Sequence, residues 1–398
     1  MNQKVSSRIA SLAVSQTLAM AQKSRELQAQ GIDVINLSVG EPDFPTPDHI
    51  KEAAKKAIDN NFSYYSPVPG YKDLRDAISA KFKRENNLDF TPEQIVVSCG
   101  AKHSIANVLA CVVDKDDEVI IPAPFWVSYI EMVKLADGKS VIIDAGIDQD
   151  FKVTPQQLEA AITPKTRAFL FSSPSNPTGS LYSREELKAL ADVFAKHENI
   201  IIISDEIYEH INYVGKHESI AQFENLKDRV VVVNGVSKGY AMTGWRIGYI
   251  GAPLWISKAC EKLQGQVTSG VCSIAQKASV AALNESLAPT LEMKKAFLRR
   301  RNLVLEKARQ IKGMKANEPG GAFYVFPDIS SFFGKSDGSM VINNCDDMSL
   351  YLLKEAFVAT VAGSAFGDNN CIRFSYATSD EILEKAMDRI KAALEKLK

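Results

Sequence analysis

Between residues 95 and 233 the chain alternates short apolar runs with stretches of helical period. Runs at 95–98, 118–121, 140–144, 168–172, 200–204 and 230–233 are rich in Val and Ile, and turn-forming residues follow them. The stretches 104–113, 127–135, 155–162 and 183–196 instead place apolar residues three and four apart. A strand that is apolar at consecutive positions has no face to give to water. The pattern predicts an α/β architecture, with a mostly parallel sheet covered by helices on both faces.

Upstream, 4–30 reads as an amphipathic helical segment, 32–38 as a strand, and 73–84 as a helix. Another helix starts at Asp48, with apolar residues at positions 50, 53, 54 and 57. After Gly251 the character changes. Residues 273–312 are helix-rich, and strands at 322–326, 358–361 and 372–375 mix with helices at 347–357 and 379–397. The charged run 294–301 reads as a solvated helix face. A chain of 398 residues suits two domains. The expected division is a large domain over 48–284 and a smaller α+β domain made of 1–47 and 285–398.

Composition excludes several classes. Lys and Arg number 47 against 48 Asp and Glu, so no basic excess argues for nucleic acid or an anionic membrane surface. Six scattered cysteines form no C-x-x-C pair, which argues against a zinc site or disulfide framework and fits a reducing compartment. No apolar stretch approaches the ~18 residues of a membrane span. The first twenty residues lack the unbroken apolar core of a signal peptide. A cytoplasmic protein is expected, with no metal and neither nucleic acid nor membrane as partner.

In an open parallel sheet, ligands bind beyond the carboxyl ends of the strands. Cys99-Gly100-Ala101 follows the first run and opens a helix, so its backbone can meet an anion or simply turn. A stiff Pro-rich loop holding Asn176 follows 168–172. Asp205, with Tyr208 three residues on, follows 200–204. A carboxylate there must be paired, or must cap a helix. Ser237-Lys238 follows 230–233, and Arg246 lies eight positions beyond Lys238. An amine, a carboxylate, a phenol, an amide and an anion cradle together match the needs of pyridoxal phosphate.

The motifs S-P-S-N-P-T-G at 173–179, S-D-E-I-Y at 204–208 and V-S-K-G-Y-A-M-T-G-W-R-I-G at 236–248 resemble those of class I/II aminotransferases, in the aspartate aminotransferase family. G-E-P-D-F at 40–44 and C-I-R-F-S at 371–375 extend the resemblance over almost the whole chain. It implies fold type I, with a mostly parallel seven-stranded sheet and pyridoxal 5′-phosphate as cofactor. By this resemblance Lys238 carries the cofactor and moves the substrate proton. Asp205 pairs with the pyridine nitrogen, and Tyr208 and Asn176 contact the ring oxygen. Trp126 stacks on the ring, while Gly100, Ala101, Ser237 and Arg246 line the phosphate. Tyr64 reaches the phosphate of a neighbouring subunit in a homodimer with shared sites. Arg373 grips the substrate α-carboxylate, and Gly40 closes over the substrate.

One departure stands out: Gly235 occupies a position where the family often has Ser. Similarity to the thermophilic-type bacterial subgroup implies that Lys102, with Ser15 and Thr17, binds the distal carboxylate of aspartate. The expected reaction is amino transfer from L-aspartate to 2-oxoglutarate by a ping-pong route. The alternatives are an aminotransferase for alanine or aromatic amino acids and a carbon–sulfur lyase. A ligand-sensing regulator would need an attached DNA-binding module, for which no room is expected ahead of the first motif.

Overall fold

The computed structural model describes residues 5–398. An N-terminal arm carries α1 (Ser7–Ala10), α2 (Gln16–Ala29) and β1 (Ile35–Asn36). Helices α3 (Asp48–Asp59) and α4 (Lys72–Lys81) come next, then β2 (Ile95–Ser98), α5 (Ala101–Val112), β3 (Glu118–Ala123), α6 (Ser128–Leu135) and β4 (Lys139–Asp144). The central part continues with α7 (Pro155–Ala161), β5 (Thr166–Ser172), α8 (Arg184–Phe194), β6 (Ile201–Asp205), β7 (Val230–Gly235) and β8 (Gly248–Gly251). After α9 (Leu254–Val267), α10 (Ser273–Asn284) and α11 (Ala288–Arg309) come β9 (Tyr324–Val325), α12 (Cys345–Tyr351), β10 (Val358–Ala359), β11 (Val361–Ala362), β12 (Ile372–Ser375) and α13 (Asp380–Leu394).

Seven strands form one sheet in the order β2-β8-β7-β6-β5-β3-β4. Pairs from β7 through β4 are parallel, whereas β8 runs antiparallel to both β2 and β7. The direction of β2 is thereby restored, so β2, β5, β6 and β7 all end at the same edge. Alternate side chains feed different cores, as the two-residue repeat of a strand requires. Phe169, Phe171, Ile202, Val230 and Val232 pack on one face, and Leu170, Ile201, Ile203, Val231 and Val233 on the other. The helices are started by sequence: Thr154 with Gln157 and Ser183 with Glu186 form capping boxes at α7 and α8.

A third core holds Phe297 of α11, Tyr324 of β9, Phe374 of β12 and Met387 of α13. Ile207 and Tyr208, just after β6, belong to it as well. The sheet edge and this C-terminal core therefore meet at one loop.

The structure corrects several sequence expectations. Strand β8 lies in the Gly-rich segment, where no strand was predicted. A Cβ on Gly248 would lie 2.1 Å from the Ala101 nitrogen, so close packing demands the glycine and conceals the strand. Helix α9 was not predicted. The expected N-terminal helix is interrupted over 11–15, and its first residue, Lys4, lies outside the described residues. Only Ile35–Asn36 of the expected 32–38 strand is paired, and only Tyr324–Val325 of 322–326. The single strand expected at 358–361 is two: β10 pairs with β1, and β11 with β12. Pairing partners, which local pattern does not reveal, set these limits. Among the described residues no helix is long and apolar enough to cross a membrane.

Candidate active site

The ends of β5, β6 and β7 and the start of α5 open onto a cavity of about 470 Å³. Ser15, Thr17, Gly40, Ala101, Lys102, Trp126, Asn176, Asp205, Tyr208, Ser237, Lys238, Arg246 and Arg373 all line it. Gly100 is not among the lining residues; it immediately precedes Ala101 and sits against Arg246. Tyr64 does not line it and is 82% exposed.

Lys238 sits three residues beyond β7, and its Nζ donates to the Gly40 carbonyl at 2.7 Å. Burial brings its ammonium down to about 8. A buried cation is disfavoured, so part of the amine is neutral near physiological pH. Asp205 ends β6. Its carboxylate accepts from the Tyr129 hydroxyl at 2.7 Å and the Ile207 amide at 3.3 Å, and burial pushes it up to about 6. The residues after Asp205 form a turn, not a helix, so the helix-cap explanation of this carboxylate does not hold.

Arg373 comes from the middle of β12 and is 1% exposed. Its guanidinium donates to Asn176 Oδ1 at 2.9 Å and to the Ser38 carbonyl at 2.6 Å, while Nε has no partner. The Tyr324 ring centroid lies 4.6 Å away. Among the described residues no carboxylate pairs with Arg373. A buried arginine in this state is costly, and an anion would relieve it. The Tyr208 hydroxyl bonds that of Tyr324 at 2.7 Å. A Cβ on Gly40 would lie 2.5 Å from the Tyr324 hydroxyl, so a larger residue would displace that tyrosine.

Arg246 donates to the Thr243 carbonyl at 2.8 Å and the Cys99 carbonyl at 3.2 Å. Gly100, the N-cap of α5, has φ +83°, and a Cβ there would lie 2.1 Å from Arg246 Nη2. The free amides of α5, the Ser237 hydroxyl and Arg246 thus converge on a place suited to a phosphate. Gly235 is explained by packing: a Cβ would lie 2.8 Å from the Ile247 carbonyl oxygen. Lys102 Nζ lies 4.9 Å from the Trp126 ring centroid and makes no ion pair among the described residues. Loss of hydration, with Arg246 nearby, lowers its proton affinity.

Sequence reasoning missed Tyr129, Tyr324 and Arg25, which also line the cavity. Tyr129 stands three residues after Trp126, a helical repeat that could have flagged it. Tyr324 meets the site only through the β9–β12 pairing, in which it faces Ser375. Arg25 is carried by α2, whose sequence gives no sign that it borders a site.

A sheet with an amine and a carboxylate at its strand ends, opening on a cavity also lined by Arg373 and Lys102, which make no ion pair among the described residues, defines an enzyme that handles an amine together with anionic groups. The family profile for aminotransferase class I and II matches residues 32–390, and this chain belongs to that family. An aspartate/prephenate aminotransferase of Cereibacter sphaeroides is 48% identical, over 98% of this chain and 98% of its own length. The solved aspartate aminotransferase of Rhizobium meliloti superposes with a TM-score of 0.97 at 42% identity, covering 100% of both chains. That of Thermus thermophilus, solved with maleate, gives a TM-score of 0.93 at 40% identity, over 98% of this chain and 100% of its own.

Proposed function

We propose that this protein is an aspartate aminotransferase. It moves the amino group of L-aspartate to 2-oxoglutarate, giving oxaloacetate and L-glutamate in two half-reactions. The observation that carries this reading is a pair of cations, Arg373 and Lys102, that have no carboxylate partner among the described residues and line the cavity of the half-buried Lys238. One carboxylate of a dicarboxylic substrate suits the Arg373 fork and the other suits Lys102, with Ser15 and Thr17 as neutral donors. The maleate in the Thermus thermophilus relative is also a dicarboxylate, which supports the same reading.

The residues present fit pyridoxal 5′-phosphate. Arg246, seated against Gly100 at the start of α5, and Ser237 line the cavity in a way that suits its phosphate. Asp205 suits a protonated pyridine nitrogen, Tyr208 and Asn176 its ring oxygen, and Trp126 its ring face. When bound, the cofactor supplies a ring that stabilises negative charge at the substrate Cα. The protein does the rest. Lys238 would hold the cofactor, and its amine can move a proton to and from the substrate Cα. Asp205 keeps the ring nitrogen protonated. Arg373 orients the substrate through its α-carboxylate, and Gly40, beside Lys238 and Tyr324, leaves room for closure over it.

The proposal extends to the domain division at 48–284 against 1–47 with 285–398. The third hydrophobic core supports it, together with the contacts of α2 with β1, β10 and β11. It includes a cytoplasmic homodimer in which Tyr64, solvent-exposed in the single chain, serves the partner's phosphate site. Adding aspartate should shift the visible absorption of the purified protein, and adding 2-oxoglutarate should restore it with release of oxaloacetate and glutamate. No spectral change with aspartate would sink the proposal. Lys102→Ala should lower kcat/KM for aspartate by about 10-fold with little effect on alanine, as loss of one charge-assisted bond implies. Equal losses for the two would move the specificity to a broader aminotransferase.

A further inference from the structure

Residues 40–47, Gly-Glu-Pro-Asp-Phe-Pro-Thr-Pro, form a strap without helix or strand that leads from the cavity to α3. Its prolines fix their own φ and keep the residues before them extended, so the strap is stiff. At one end the Gly40 carbonyl accepts from Lys238 Nζ at 2.7 Å. Next to it, Glu41 accepts from the Thr243 hydroxyl at 2.8 Å. Farther along, Thr46 Oγ1 donates to the Ala241 carbonyl at 2.7 Å and accepts from Trp245 Nε1 at 3.0 Å. These bonds fasten the strap to the segment that follows Lys238.

The middle of the strap is held from the other side. Arg300 of α11 is 6% exposed and donates to both carboxylate oxygens of Asp43, at 2.8 and 2.9 Å. Its guanidinium lies 5.1 Å from the Phe44 ring centroid, and Phe44 meets Phe297 of α11 edge-on at 5.5 Å. Asp380 also lies near Arg300, at 3.4 Å, but its closer bonds, at 2.6 and 3.0 Å, come from Arg299. A buried guanidinium is costly to desolvate, and this one gives its two shortest bonds to a residue three positions from Gly40. Neither Arg300 nor Asp43 lines the cavity.

The same face of α11 touches the lysine turn. Thr290, Met293, Phe297 and Arg300 are buried along one side of the helix. Thr290 Oγ1 donates at 2.6 Å to the carbonyl of Gly239, the residue after Lys238. Thr290 and Arg300 stand about 15 Å apart along the helix axis. One helix therefore fixes both sides of the Lys238–Gly40 hydrogen bond. We infer that Arg300 is a positioning residue: through Asp43 it sets where the Gly40 carbonyl stands against the Lys238 amine. The inference rests on the reading that Lys238 is the reactive amine.

The rate of pyridoxal phosphate uptake by the full-length apoprotein, followed against pH, reports the proton affinity of Lys238. Glu41 and Asp205 favour its charged form, while burial, Arg373 and Arg246 oppose it. The Tyr208 and Phe323 rings lie 5.8 and 6.0 Å away. The Gly40 carbonyl favours the charged form by accepting its proton. A strap released at Asp43 withdraws that carbonyl, and Glu41 with it, so the midpoint must fall. Asp43→Asn and Arg300→Gln should each lower it by about half a unit, a threefold rise in the neutral fraction. Charge alone would move the two in opposite directions, since one removes an anion and the other a cation. The double variant should lower it no further, because the two residues act as one pair. Asp380→Asn, which spares the Asp43 fork, should leave it in place.

An unmoved or raised midpoint in Arg300→Gln would make the pair a structural tie and overturn the inference, whatever the variant's stability. Summed shifts in the double variant, or an equal shift in Asp380→Asn, would overturn it as well. If Arg300→Gln does not fold, Arg300→Lys decides, because it keeps the charge and spoils the fork; its midpoint must fall too. Failure of the wild-type apoprotein to take up pyridoxal phosphate would sink the cofactor reading and this inference together. Uptake with unmoved midpoints sinks the inference alone.

Discussion

Under the proposed reaction Lys238 serves as an amine and as a base, and its depressed proton affinity suits both tasks. With a value of about 8, some tenth of the side chain is neutral at pH 7, roughly 300-fold more than for an ordinary lysine. Uptake of pyridoxal phosphate by the apoprotein should therefore quicken with pH and level off past a midpoint near 8. A stopped-flow rate still rising tenfold per pH unit above about pH 9 would contradict this. Lys238→Ala should abolish nearly all turnover, since both roles need the amine. Asp205 is shifted the other way, from 3.8 to about 6. Its native form binds protons more tightly than its unfolded form. The associated stability is fully present below pH 3.8 and lost as pH rises through about 6. At pH 7.5 the ionised Asp205 costs the apoprotein about 3 kcal/mol. Asp205→Asn should thus be more stable than wild type in urea at pH 7.5, with the gap closing near pH 4. A gap independent of pH would show that Asp205 is not the titrating group.

At the scale of elements, the start of α5 decides the proposed phosphate cradle. Three things coincide there: the positive φ of Gly100, the approach of Arg246 and the packing of Gly248 against Ala101. Gly100→Ala strains the backbone and drives a methyl into the Arg246 guanidinium. Affinity for pyridoxal phosphate should fall about tenfold or more, on the scale of a lost charged hydrogen bond, while affinity for pyridoxal should barely change. Equilibrium titration with the two compounds tests this. Parallel losses would mean that the substitution damages the sheet rather than the cradle. Strand β8 has a related role, since its antiparallel run turns β2 so that α5 starts at the same edge as Asp205 and Lys238.

At the scale of the whole molecule, the site lies where the sheet edge meets the C-terminal core, and one proposed ligand is missing from it. Tyr64 is 82% exposed and its neighbour Tyr65 97%, an uncommon display of two adjacent aromatics. A second copy covering them would bring Tyr64 to the partner's phosphate. Mixing inactive Tyr64→Ala subunits with inactive Lys238→Ala subunits should then restore partial activity, because one hybrid site keeps both residues. A fully active monomer in sedimentation would refute the shared site.

The sequence by itself determined the layered α/β core, because buried strands such as 200–204 and 230–233 must be apolar on both faces. It also determined which chemical groups stand at the strand ends, since Asn176, Asp205 and Lys238 follow strands that local pattern reveals. Tertiary structure decided the rest. β8 was hidden because close packing put glycines where a strand would show β-branched residues. β10 and β11 were read as one strand because a change of sheet leaves no local trace. Tyr129 and Tyr324 reach Asp205 and Tyr208 from segments 76 and 116 residues away. Arg373 meets Asn176 across 197 residues, and Lys238 meets Gly40 across 198. Periodicity reports only which face of an element is buried. Which distant side chain completes a hydrogen bond depends on how elements pack, and that is fixed by the shape of the assembled cores.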